Sequence, residues 1–489
     1  MKTKIISVAA AVALSFGSAQ AALAAAKSAP APAAPAAPAI SQADIDALKA
    51  QLKALQDRLA QLEQVNTAQD KKIDDASKSV AAQVAVNNEQ QTAIDNTADN
   101  LARTVGDGAS SGWIGRWVWK GDFRYRNENI DQEYTVRARN RDRMRLRFGA
   151  VGRVNDDTKV ELQLTTSENA DARSPNQTLT DASSRKPILV DTAFVEWAPN
   201  DFVKVQAGKM RYPWVRTSTY FYDGDVNPEG LAAFWQQGTN GFFGSAWVSR
   251  LTERSANADS SLFGAQFGYR NTASDGTRVL LAAGYFDHGA VQGYNNIQSG
   301  SAGGYFGNST TTSTAICRTP VVGAGVACLA NDFNIVEVIG EYQTKVAGQP
   351  LLLFFDYAKN NAANYKFVST NPTQNIPAGL DTAQAVGVTL GRAVATIPGS
   401  WEVGYIYQKI EKDSLFGQWV DSDANAGNTD AKGGALRGAY QFAKNWRFNF
   451  TYFMNQTNMD VATAVTYPTA QNVFNRDYKR LQLDLNWTF

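Results

Sequence analysis

The sequence predicts an all-β transmembrane antiparallel barrel of about sixteen strands, preceded by an N-terminal α-helical coiled-coil stalk. Three observations carry this: an export signal, a long heptad repeat, and a period-two pattern that runs from residue 113 to the end. Residues 1–24 read as a signal peptide. Lys2 and Lys4 precede an apolar run from Ile5 to Phe16, and Ala19-Gln20-Ala21 or Ala22-Leu23-Ala24 supplies a small-residue cleavage site. Export to an oxidising compartment follows from it.

Residues 25–40 are dominated by Ala and Pro, a composition that packs no core and spaces domains. The period then changes. Ile45, Leu48, Leu52, Leu55, Leu59 and Leu62 alternate spacings of three and four, and the register continues through Ile73, Val80, Ile94 and Leu101. This predicts a coiled coil over 41–105, about 90 Å long at 1.5 Å per residue. Asn66 and Asn87 place polar groups in the seam, where they fix register at some cost in stability. Few apolar residues lie off the seam, so the helix needs partner helices. The heptads alone allow two, three or four.

From Trp113 the period is two. Leu481, Leu483, Leu485, Trp487 and Phe489 alternate with Arg480, Gln482, Asp484, Asn486 and Thr488, so one strand face suits lipid and the other water. Trp446, Phe448, Phe450 and Tyr452 repeat the pattern, as do Trp401, Val403, Tyr405 and Tyr407. Strand starts fall near Trp117, Arg141, Thr158, Ile188, Phe202, Gly230, Phe242, Ser261, Thr277, Phe333, Pro350, Ala383, Ser400, Gly433, Asn445 and Tyr478. An even number lets an antiparallel barrel close with both ends on one side. Short turns such as Asn155–Asp157 and Pro199–Asp201 alternate with long polar segments such as Asp287–Asp332, which puts the chain's N-terminal segment on the short-turn, periplasmic side.

Composition excludes several functions. Lys+Arg 47 against Asp+Glu 46 gives no basic field for nucleic acid. The only histidine, His288, lies beside a long loop without a matched nucleophile and acid, so catalysis is not expected, and neither is a cofactor. Asp223-x-Asp225-x-Asn227 has calcium-loop spacing, but Pro228 and Phe234 occupy the positions where that loop needs Gly and Glu, so no metal is expected. Cys317 and Cys328 sit in a Gly/Thr/Asn-rich stretch and read as a loop disulfide.

Charge phase locates a candidate site. If Phe123 and Tyr125 face lipid, Arg124 and Arg126 face inward. Met144, Leu146 and Phe148 outward likewise turn Arg143, Arg145 and Arg147 inward. Neighbouring strands would then stack these five guanidiniums on one patch of wall. They read either as a pore lining or as a network neutralised by acids such as Asp122 and Glu161. The third long segment, Lys209–Glu229, carries an acidic tip of Asp223, Asp225 and Glu229.

From about Trp117 onward the chain resembles the "putative porin" family of Gram-negative outer-membrane proteins. The resemblance is carried by GDFRYRNENIDQ (Gly121–Gln132), NRDRMRLRFGA (Asn140–Ala150), NQTLTD (Asn176–Asp181), LVDTAFVEW (Leu189–Trp197) and DGDVNPEGLA (Asp223–Ala232). Thr180 stands where such chains often have Gly, and the Lys209–Trp214 stretch matches the usual Asn-Pro-Phe form only loosely. The resemblance implies an outer-membrane pore for passive diffusion of small hydrophilic solutes, with the third loop folded inward against a basic wall. More charges on that wall than on the loop would give a weak anion preference. It also implies a homotrimer, and barrel-assembly machinery that recognises the terminal Phe489. The rival expectations are a structural tether, in which the stalk reaches peptidoglycan, and a sheath around an electron-transfer cytochrome.

Overall fold

The computed structural model describes Lys49, Lys53, 56–58, Ala60 and residues 116–489, except 169–170, 237–239, 296, 298–303, 319–326 and 365–378. The signal peptide, the linker and nearly all of the expected coiled coil therefore lie outside the described residues. The six that are described from the stalk segment are helical and exposed.

Sixteen strands form the wall. They are β1 (Trp117–Gln132), β2 (Arg139–Arg153), β3 (Thr158–Thr166), β4 (Ile188–Trp197), β5 (Val203–Lys209), β6 (Glu229–Trp235), β7 (Gly241–Thr252) and β8 (Ser260–Thr272). There follow β9 (Arg278–Gly289), β10 (Phe333–Val346), β11 (Gln349–Asn360), β12 (Thr382–Gly391), β13 (Trp401–Ile410), β14 (Ala431–Ala443), β15 (Trp446–Thr457) and β16 (Arg476–Thr488). No start differs from its sequence-based position by more than two residues. Each strand pairs antiparallel with the next, and β1 pairs with β16 from Asp122↔Thr488 to Gln132↔Tyr478, which closes the sheet. Closure leaves no edge, so every ladder position can satisfy its backbone groups without water.

Alternation decides what each face does. On β16 the leucines at 481, 483 and 485 are about one-third exposed, whereas Arg480, Gln482 and Asp484 are each under 7% exposed. The same inversion of a soluble protein's pattern holds on β13, where Tyr405 and Tyr407 are exposed while Gln408 is buried. An apolar outer surface with a polar interior is stable only where lipid covers the outside. Trp446, Trp487 and Phe123 pack together outside the short-turn end, where amphipathic rings suit a membrane interface.

Turn lengths alternate around the barrel. The β10–β11 turn is Ala347-Gly348 with φ of 50° and 76°, the two left-handed residues that a tight hairpin of this twist requires. At the other end several loops are longer, and the third loop and the loop after β13 fold inward. An aromatic cluster of Trp214 and Phe221 from the third loop, Trp247 and Phe286 from the wall, and Phe416 from the loop after β13 fills part of the lumen. Trp214 stacks on Trp247 with ring centroids 4.8 Å apart. β5 and β6, seven residues each, are the shortest wall strands, and the third loop leaves the wall between them.

Candidate functional site

The third loop, residues 210–228, is held inside the barrel by bonds to several wall strands. The Val215 N–H donates to Gln266 on β8 at 2.8 Å, and Thr217 donates to Asp356 on β11 at 2.9 Å. Thr219 also donates to Asp356, at 3.1 Å, and the Tyr220 N–H to Gln408 on β13, at 3.3 Å. These anchors stretch the loop across the lumen and bring its tip to β2 and β4.

At the tip the expected acidic residues take three different places. Asp225 faces the arginines of β2, 3.5 Å from Arg147 and 4.0 Å from Arg145. Asp223 is turned away and buried. Its carboxylate accepts the N–H of Ser422 at 2.8 Å and of Asp225 at 2.9 Å, which staples the third loop to the loop after β13. Burial pushes the Asp223 carboxyl well above its ordinary range, and Asp421 and Asp225 nearby add to the shift. Glu229 opens β6, is exposed, and pairs with Lys209 at 2.9 Å.

The five arginines lie on one inner patch, directly opposed in the β1–β2 register as Arg124↔Arg145 and Arg126↔Arg143. Like charges placed opposite one another are unfavourable unless acids intervene, and acids do. Arg126 forms two bonds to Asp484, of 2.7 and 2.8 Å, and a third to Asp423 at 2.8 Å. Arg124 meets Asn176 and Asp484, and Arg143 lies 3.5 Å from Glu128 and 3.7 Å from Glu168. Arg145 and Arg147 share the two oxygens of Asp122, at 2.7 and 2.9 Å. Arg124, Arg126, Arg143 and Arg145 are all under 10% exposed, sealed beneath inward loops, whereas Arg147 borders an open cavity.

Several members of this network were not singled out from sequence. Glu128, Arg480 and Asp484 face inward by the same alternation that marked the arginines, so strand phase could have found them. Asp423 could not be found that way, because its loop turns inward through tertiary contacts. Burial alone would raise Asp423, but the guanidiniums of Arg480 and Arg126 outweigh it and hold the carboxyl well below the usual range. Arg173, from the loop after β3, donates to the Gly427 carbonyl at 3.0 Å and joins a third loop to the assembly.

Two cavities flank the tip of the third loop. One of about 570 Å³ includes Asp225, Glu229, Lys209, Arg250 and Trp419 in its lining; the other, of about 330 Å³, includes Arg147, Gln163, Arg211, Tyr212 and Arg216. Both are bordered at the tip by Asp191, Val226 and Asn227. There the Asn227 side chain donates to Asp191 at 2.7 Å, and Gln163 donates to the second Asp191 oxygen at 2.6 Å.

The remaining expected sites lie elsewhere. Cys317 and Cys328 are joined as a disulfide, Cα–Cα 5.6 Å, in the loop between β9 and β10. His288 is buried at the end of β9, where its Nδ1 is 3.1 Å from the Phe333 carbonyl oxygen and its ring packs on Phe416.

A closed sixteen-strand barrel with an apolar exterior and a third loop folded into a charged lumen defines an outer-membrane protein of the porin class. The chain belongs to the family described as "Putative porin", whose model matches residues 130–467. No curated protein matches the sequence. Among solved structures, the barrel is similar to the high-pH structure of Pseudomonas putida OprB, with 11% identity, a TM-score of 0.49, and coverage of 78% of this chain and 96% of that one. Vibrio cholerae OmpT, folded in vitro and in trimer form, is 14% identical over 76% of this chain and 99% of its own, with a TM-score of 0.42. A triple mutant of the Rhodopseudomonas blastica porin is 12% identical, covers 76% and 100%, and has a TM-score of 0.40.

Proposed function

We propose that the barrel passes small hydrophilic solutes by passive diffusion, along the lumen beside the third-loop tip and the inner face of β2 and β4. The observation that carries this reading is the pair of cavities that flank the third-loop tip and share Asp191, Val226 and Asn227 in their linings. A solute that moves from one cavity to the other must pass these residues and the opposed charges of Arg147 and Asp225.

The five arginines then divide into two roles. Arg124, Arg126, Arg143 and Arg145 clamp the wall and the inward loops, while Arg147 lines the path. Selectivity rests on the charges that border the cavities. Lys209, Arg147, Arg211, Arg216 and Arg250 stand against Asp171, Asp191, Asp225 and Glu229, a small basic excess that favours anions weakly. The heptad segment would hold copies together as a homotrimer, with each barrel a separate path.

Planar-bilayer recording tests the reading. Stepwise insertion of ion-conducting channels, with a reversal potential shifted slightly toward anions in a salt gradient, is the expected result. Purified, folded barrels that insert without conducting would overturn it.

A further inference from the structure

We propose that the smaller cavity is a binding subsite for small monocarboxylates that also carry a hydroxyl or ammonium group, with Arg216 as the carboxylate-binding residue. The inference rests on the diffusion reading and names the class of solute that lingers on that path.

Arg216 differs from the five arginines of β1 and β2. Its guanidinium lies 4.2 Å from the centre of the Tyr212 ring and donates to the Tyr222 carbonyl at 3.1 Å. Among the described residues no carboxylate lies within ion-pair distance of it, although Glu337 and Asp356 on the wall share its longer-range field. Stacking on a ring leaves a guanidinium's in-plane donors free, and two parallel N–H donors match the two oxygens of a carboxylate. The group is thus held in place while its hydrogen-bonding capacity is incompletely used.

The wall around it supplies an aromatic surface and an acceptor. Tyr212 and Trp214 border the same cavity, so the ring that holds Arg216 is itself part of the wall. Asp191 lines the same cavity. Amide donors from Gln163 and Asn227 hold both of its oxygens, and their remaining lone pairs are available to a donor on the solute. A second carboxylate would meet repulsion there, whereas a hydroxyl or ammonium group would be accepted. The cavity, about 330 Å³, takes a molecule of a few heavy atoms.

The test uses the full-length protein in planar bilayers, with potassium chloride as charge carrier and sodium lactate as probe. Lactate should reduce the chloride current in a saturable way, and glycerol at equal concentration should not. Arg216→Gln should raise the half-blocking lactate concentration by at least about tenfold, the scale of one charge-assisted bidentate contact. Arg211→Gln, at a half-exposed position, should raise it by about threefold. It keeps the test available should Arg216→Gln fail to assemble. Lys186→Ala, on an exposed loop outside the cavity, should leave block unchanged. Equal block of wild type, Arg216→Gln and Arg211→Gln, or equal block by glycerol, would overturn the subsite. If the channel conducts chloride but lactate has no effect, the subsite fails and diffusion stands; if nothing conducts, the diffusion reading itself fails.

Discussion

Arg126 and Asp484 are directly opposed across the seam that closes the barrel, and two parallel hydrogen bonds of 2.7 and 2.8 Å join them. One lies on the first strand and the other on the last, 358 residues apart in sequence. A third bond reaches Asp423, so the same guanidinium also fixes a loop inside the lumen. Removing one partner from such a buried pair leaves an uncompensated charge, at a cost of about 3–5 kcal/mol. Arg126→Met should therefore lower the temperature at which the folded barrel loses its compact electrophoretic mobility. Arg126→Met combined with Asp484→Leu should recover part of the loss. Unchanged melting in the single variant would show that the seam does not depend on this pair.

The staple between the third loop and the loop after β13 should respond to pH. Asp223 is raised by burial, then by Asp421 and Asp225, so folding favours its neutral form. The sign follows: the staple is strongest at low pH and weakens as pH rises through the raised value. Open-channel current noise should therefore increase from mildly acidic to alkaline pH, and Asp223→Asn should remove that dependence. An identical pH dependence in the variant would assign the effect to other groups.

The cysteine pair should resist alkylation. Freshly isolated outer membranes treated with maleimide should label neither Cys317 nor Cys328, and both should label after reduction. Free labelling without reductant would contradict the bond.

Deleting residues 43–103 should leave the wall intact, since all sixteen strands start after it. It should also weaken assembly. Native mass spectrometry in mild detergent should give trimers of the whole chain and predominantly monomers of the truncated one. Monomers of the whole chain would overturn the role given to the heptads.

How much was legible in the sequence depended on the range of the interaction. Strand positions were readable because lipid and water impose a period of two on every span, as Leu481 to Phe489 display. The inward phase of Arg143, Arg145 and Arg147 followed from Met144, Leu146 and Phe148 between them. What alternation cannot convey is how far an inward side chain lies from the loops. Four of the five arginines are sealed by partners such as Asn176 and Asp423, whose segments return from 52 and 297 residues away. Asp223 and Asp225, two residues apart in one polar motif, diverge for the same reason: one meets Ser422 and the other Arg147. Arg216 carried no local signal, since its isolation from acids is a property of the folded third loop.

The central claim is that solutes pass along the lumen beside the third-loop tip, past Arg147, and reversal potentials of Arg147→Glu test it most directly. Two charges in a partly desolvated gap interact more strongly than in water, so the substitution should change ion energies on the order of 1 kcal/mol. At low salt, where screening is weak, the variant's reversal potential should move clearly toward cations relative to wild type, and raising the salt should shrink the difference. Channels of Arg147→Glu that insert and conduct with the wild-type permeability ratio at low salt would contradict the account.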